Sequence, residues 1–581
     1  MGCARLALAL CALYASAAAA LPASVAQWAQ GARLLDGLGD FHRPVSTNVP
    51  LAQQYFDQGM RLIWAFNHDE AARSFAQAAQ LDPACAICLW GVALSLGPNY
   101  NIASMDAVRA QVADAALHAA QAQAAHASAV EQALIEALAA RYPQARAIGP
   151  DNLDAVQSAY AAAMEKVAAR FPDDLDVQTL CAEAEMNIHA WKLWSADGRP
   201  VAGTLAIEAR LEDVLRRDPR HPGANHYYIH VMEASPTPQR ALAAAERLRG
   251  MEPGAGHLEH MPAHIMERLG RYEDAAAANR SAVAADTAYL AAVTPPDHYP
   301  MYRVHNYSFL AYAAAMEGRK AETLAVAQSL VEKAPLDMQL AMGNSGWSSS
   351  QQYTALVRFG LWDELIALAA PDPRAPGLTL AWLYGRGVAL AARGRTEEAQ
   401  GSLTQLQALA GTLPANWHTL RSMLDIATPI VAARIAATLR HDEEAVALLQ
   451  RAVAADDATP YGEPPDWFLP PRHLLGAQLL IAHRPGQAER VYREDLRRNP
   501  ANGWSLYGLA AALRAQGRSA AAARIARQLA VAWRHADVRL EGSAFWFAGA
   551  DTTRCECQRP LSAQRQTRGE LLGAQHEAGV D

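Results

Sequence analysis

The chain has 581 residues, 51 Lys+Arg against 59 Asp+Glu for a formal net charge of −8, and is 51% hydrophobic and 7% aromatic. A mildly acidic chain lacks the one-signed basic surface that phosphate backbones require, so nucleic acid is not an expected partner. At roughly 150 residues per domain, the length suits about three or four globular domains or one extended repeat array.

Residues 1–20 read as a signal peptide: Arg5 supplies a basic start, Leu6 to Tyr14 is apolar, and Ala15 to Ala20 is small. Its removal makes the chain a secreted or periplasmic protein. No later stretch gives about 18 uncharged apolar residues in a row, so no transmembrane segment is expected in the mature chain. Cys3 and Cys11 leave with the signal, and Cys85, Cys88, Cys181, Cys555 and Cys557 remain. Cys85-x-x-Cys88 suits a disulfide or two buried thiols better than zinc, because no second Cys-x-x-Cys completes a four-thiolate site. Cys555-x-Cys557 is read the same way.

After an N-terminal segment, residues 21–50, a short phrase recurs: Asp82-Pro83, Asp218-Pro219, Glu252-Pro253 and Asn499-Pro500 each close a helical stretch. Counting back five, eight and twelve residues from Pro83 gives Ala78, Phe75 and Ala71, and the same offsets from Pro500 give Asp495, Tyr492 and Ala488. Mostly small residues at the outer offsets let two helices approach, the aromatic fills the gap, and Pro ends the second helix. A Gly marks the turn between helices in Gly270-Arg271-Tyr272, Gly360-Leu361-Trp362 and Gly394-Arg395-Thr396. Strand signals are scarce and Ala dominates, which favours helix.

This pattern resembles the tetratricopeptide repeat, a 34-residue helix-turn-helix unit, in a secreted bacterial form. The best units are 52–85, 222–255, 256–289, 380–413, 469–502 and 503–536. The resemblance implies an all-α, right-handed α-solenoid, divided into N-terminal repeats over 51–220, central repeats with a His cluster over 221–320, and C-terminal repeats over 321–550. A tail, 551–581, is expected to be poorly ordered. Two Pro-rich stretches, 294–300 and 461–471, are expected to be loops laid along the repeats.

Eight of the 19 histidines fall between His221 and His305, where an even spread would place about three. His226 and His230 are four apart, as are His260 and His264, and each member recurs after 34 residues. Positions four apart share a helix face, and equivalent helices of neighbouring units run about 8 to 10 Å apart, so four imidazoles can converge. By the resemblance, the second, fifth, ninth and twelfth positions of a unit line a concave groove. His226 and His260 then fall at the fifth, His230 and His264 at the ninth, His257 and His305 at the second, and Glu233 and Glu267 at the twelfth. Pro262 is expected to start or kink the helix between His260 and His264.

Imidazoles suit copper, zinc, iron or nickel and not magnesium or calcium, and copper or zinc is the expected cofactor. The candidate ligands are His226, His230, His257, His260, His264 and His305. Six such ligands suffice for two metals. A closed site is structural or storage-like, whereas three His ligands with an open position support hydrolysis or redox chemistry. For hydrolysis, Glu233 is the candidate general base, with Glu259 second. Tyr227, Tyr228, Tyr299, Tyr302 and Tyr307 are either pocket or packing residues. The chain has no His-Glu-x-x-His and no Gly-x-Ser-x-Gly, so whether it is an enzyme stays open. The alternative is a non-catalytic scaffold whose groove takes a peptide, protein or small molecule.

Overall fold

The computed structural model describes residues 21–294, 299–341, 345–414 and 416–545. The stretch expected to be a signal peptide, His298, Cys555, Cys557 and the tail lie outside the described residues. Among the described residues every regular element is a helix, and β pairing is limited to two isolated bridges, Met105 with Ile148 and Trp194 with Pro200. No described helix is long and apolar enough to cross a membrane.

Each of the six best repeat units folds as a pair of helical limbs joined by a short turn. Unit 52–85 is Pro50–Trp64 followed by His68–Leu81, and unit 503–536 is Gly503–Ala515 followed by Ser519–Ala532. The offset-eight aromatic explains why these helices approach so closely. Phe75 is fully buried between Gly59 and Gly91, where an added Cβ would come within 2.5 and 2.4 Å of its ring. Tyr492 is clasped in the same way by Gly476 and Gly508, at 2.3 and 2.1 Å. Any side chain larger than hydrogen at these glycines would drive the helices apart.

Turns between paired helices need one residue in the left-handed region, and Gly supplies it at Gly270 and Gly394, with φ of 71° and 75°. In the first unit the same turn position is held by Phe66 at φ 53°, which costs about 1–2 kcal/mol for a residue with a Cβ.

The chain divides into two compact units, Met1–Ile265 with Ala278–Asn306, and Met266–Ala277 with Tyr307–Asp581. In the first, Arg43 donates to Asp174 at 2.9 and 2.8 Å and to Asp176 at 2.6 Å, tying the N-terminal segment to the helix Leu175–Met186. Cys85 and Cys88 are joined by a disulfide and Cys181 is a buried free thiol. In the second, the buried Asp495 accepts from His473 Nε2 at 3.0 Å, Ser505 Oγ at 2.7 Å and Asn502 Nδ2 at 2.9 Å. His473 Nδ1 lies 3.0 Å from Arg358, whose guanidinium sits over Trp504.

Candidate metal centre

All six candidate ligands belong to the first unit. His226 and His230 lie on the helix Pro222–Glu233, which His221 caps by accepting the Ala224 N–H at 3.1 Å. His257 and His260 lie on the short helix Gly256–His260. Pro262 then opens a new helix, Pro262–Arg268, that carries His264, so the break expected at this proline is present. His305 lies on the helix Pro300–Met316.

The rings do not line an open groove, contrary to the placement inferred from the repeat. Every residue from Pro222 to Glu233 is buried, and His226, His230, His257, His260 and His264 are at most 3% exposed. The physical reason lies around these helices. Trp64 and Phe66 pack against Pro222–Glu233 from one side, with Phe66 stacked on the rings of His230 and His257 at 5.8 and 5.5 Å between centroids and tilted against His226 at 4.5 Å. Tyr100 and Trp191 cover His230 at 4.9 and 5.6 Å, and Tyr302 covers His257 at 4.8 Å.

The six imidazoles form two triads. His226, His230 and His257 make one, His260, His264 and His305 the other, and within each the nearest ligand atoms all lie within 4.8 Å of one another. In the first, the Nε2 atoms of His226 and His257 are 3.1 Å apart. In the second, His260 Nε2 is 2.7 Å from His264 Nε2 and 3.0 Å from His305 Nε2. The triads abut, with His230 and His264 centroids 5.8 Å apart and His257 and His260 5.9 Å apart, so they make one centre.

The outward nitrogens fix the tautomers. His226 Nδ1 lies 2.6 Å from the Trp64 carbonyl, and His260 Nδ1 lies 2.7 Å from the Asn279 amide oxygen. Glu233 faces two rings at once, with Oε1 3.1 Å from His230 Nδ1 and Oε2 2.7 Å from His264 Nδ1. Carbonyl and carboxylate oxygens only accept, so the Nδ1 atoms of His226, His230 and His260 carry the proton and donate it. Three Nε2 lone pairs are therefore turned inward. This is the arrangement by which metal-ligating histidines are held: the second nitrogen donates to a carboxylate or carbonyl, which orients the ring and raises its basicity.

His260 Nε2 and His264 Nε2 lie 2.7 Å apart, so without a cation one of the two must carry a proton and donate it to the other. His230 Nε2 is buried with no hydrogen-bond partner among the described residues, and His257 Nδ1 is likewise buried without one. Protonating the rings is opposed. Burial, reinforced by neighbouring imidazoles, holds His226, His257 and His260 well below the ordinary histidine range, and burial with the nearby His264 lowers His305 to about 3. Burial also disfavours the Glu233 carboxylate, but the two imidazoles it holds outweigh this and keep it below the usual carboxylate range.

Glu233 is thus not placed as a general base. Its oxygens sit behind the rings, facing Nδ1 of His230 and His264. Glu259 accepts the Gly250 N–H at 2.9 Å. Among the tyrosines, Tyr302 and Tyr227 border the cluster, the latter 5.2 Å from His226, whereas Tyr299 donates to Asp286 and Tyr228 to Glu212. Phe66 and Tyr100 had no sequence motif. The one available signal was that Phe66 stands where other units carry the turn glycine.

Fold and site together define an all-α solenoid of tetratricopeptide-like helix pairs with a buried six-histidine cluster. No family model matches the chain, and no curated protein sequence matches it. Among solved structures it is similar to the human IFIT1 dimer with m7Gppp-AAAA, at 11% identity over 77% of this chain and 90% of that one, TM-score 0.32. It is also similar to yeast Tom70, at 12% identity over 81% of this chain and 90% of that one, TM-score 0.27.

Proposed function

We propose that this protein is an exported metalloprotein whose six imidazoles hold a pair of transition-metal ions, three ligands to each, with copper favoured over zinc. One observation carries this reading. Two triads of imidazoles each bring their nearest ring nitrogens within 4.8 Å of one another, and His226, His230 and His260 donate outward through Nδ1 to Trp64, Glu233 and Asn279, which leaves their Nε2 lone pairs turned inward. Copper is favoured because the inward donors of both triads are neutral imidazoles in a buried pocket. A monovalent ion brings the least uncompensated charge into such a site, and copper is the imidazole-compatible metal with a stable monovalent state.

The test is elemental analysis of the purified protein and of a His260→Ala, His264→Ala double variant, both passed through a weak chelator after copper and zinc have been offered. The proposal expects two equivalents of copper in the parent and at most one in the variant. No retained metal in either protein overturns it and leaves the repeats as a scaffold for a protein or peptide partner.

A further inference from the structure

We propose that the cavity between the N-terminal segment and the turn preceding Pro222–Glu233 is a second binding site, separate from the histidine centre, and that its ligand is a small aliphatic diamine. The cavity measures about 270 Å³, far above the roughly 10–15 Å³ that one water needs. Asp40, His42 and Arg220 stand exposed around it, whereas His221 and Glu252 are 2% and 1% exposed and belong to its buried wall. All of its lining residues lie in the first unit, and none is one of the six histidine ligands.

The wall is fixed by the fold. Gly254 donates its N–H to the Gly37 carbonyl at 2.8 Å, and Arg61 donates through Nε and Nη2 to the Phe41 carbonyl at 2.8 and 2.6 Å, so the N-terminal segment is pinned beside Glu252. Gly39, at φ 72°, lets the backbone lie directly on Glu252, where an added Cβ would come within 3.1 Å of Cγ.

The charge of the ligand follows from which groups are already matched. Asp176 accepts from Arg43 at 2.6 Å and faces His221 Nε2 at 3.1 Å, His42 Nδ1 lies 2.7 Å from Asp57, and Asp218 accepts the Arg220 backbone N–H at 2.9 Å. Two carboxyl groups are left over. Asp40 has no hydrogen-bond or ion-pair partner among the described residues, and Glu252 Oε2 is buried without a hydrogen-bond partner there, which is costly for a carboxyl group. Burial pushes the Glu252 carboxyl well above the usual carboxylate range, Arg61 opposes this, and Asp40 adds to it, so Asp40 and Glu252 are near enough for one cationic ligand to compensate both. Arg220 is the opposing charge, and it stands in water at the rim.

A bare metal ion does not suit this wall. Among the described residues, no three of its His, Asp and Glu groups bring ligand atoms within 4.8 Å of one another, as both histidine triads do. A molecule with two ammonium groups and an apolar spacer suits it better: the ammonium groups donate to Asp40 and Glu252, and Phe41, Leu175 and Met251 give the spacer an apolar surface.

The test is isothermal titration calorimetry of the full chain with 1,4-diaminobutane, 1,4-butanediol and succinate. The expected result is saturable binding of one diamine, with no binding of the diol or of succinate at the same concentrations. Glu252→Gln keeps the shape, removes the charge, and should weaken diamine binding by about tenfold or more with an unchanged far-ultraviolet circular dichroism spectrum. Asp40→Asn, at an exposed position, should weaken it in the same direction and keeps the proposal testable if Glu252→Gln does not fold. No diamine binding, binding of the diol or of succinate as strong as that of the diamine, or unchanged affinity in the folded variants overturns the proposal. Retained copper, measured in the same samples, should not change in either variant, so this site and the histidine centre stand or fall separately.

Discussion

Replacing Glu233 by Gln tests the outer sphere without removing a ligand. The carboxylate accepts from His230 Nδ1 at 3.1 Å and lies 2.7 Å from His264 Nδ1, so one group contacts a ring in each triad. Glutamine keeps the shape but offers one oxygen and one NH2. The oxygen still accepts from one ring, and the NH2 then faces the other ring's N–H. Two donors cannot pair, so that imidazole must shift its proton to Nε2, which turns an N–H toward the metal and removes one donor of three. Loss of such an outer partner weakens metal binding by about 10- to 100-fold, or about 1.4 to 2.8 kcal/mol. Competition against a graded series of copper chelators measures this directly. The weakening should be confined to about one of the two ions, and far-ultraviolet circular dichroism should not change. Unaltered affinity for both would refute the assigned tautomers.

Other consequences are open to simpler assays. Gly59→Ala forces a methyl to within about 2.5 Å of the Phe75 ring and should lower stability by about 1–3 kcal/mol in chemical denaturation, as should Gly508→Ala against Tyr492. Phe66→Ala removes a ring that is 1% exposed and should cost about 3–5 kcal/mol, while hastening copper loss to a chelator by opening one wall of the centre. Burial is the main cause that lowers His68 and His305 to about 3, below an unfolded value near 6.5. In that window the unfolded chain takes up protons the folded chain refuses, so the metal-free protein should keep its full stability above pH ~6.5. It should then lose about 1.4 kcal/mol per pH unit for each of these two rings as pH falls toward about 3. A denaturation midpoint that is flat over this range would contradict the burial of these imidazoles.

The repeat fold was legible because its spacing is dictated by close packing. Asp-Pro and Asn-Pro ends, an aromatic eight residues earlier and small residues around it recur wherever two helices must meet, and Phe75 and Tyr492 occupy the gaps the spacing implies. The histidines were legible for a similar reason, since four-residue and 34-residue separations bring rings together whatever surrounds them. What the sequence did not disclose was burial. A groove-lining position inferred from the repeat is exposed only if nothing packs over it, and here Phe66, Tyr100, Trp191 and Tyr302 come from distant segments to cover the rings. The contact of Glu233 with Nδ1 was not legible because spacing fixes which face a side chain shares and not which nitrogen of a neighbouring ring it meets. The partition into triads also depended on His257 and His305, whose partners are 31 and 45 residues away.

The most direct measurement is an anomalous difference map from a crystal grown with copper. The account predicts two peaks, one bonded to His226, His230 and His257 through Nε2 or, at His257, through either ring nitrogen, and the other to His260, His264 and His305. A single peak shared by all six rings would contradict the two-metal centre. No peak at the histidines would contradict metal binding itself.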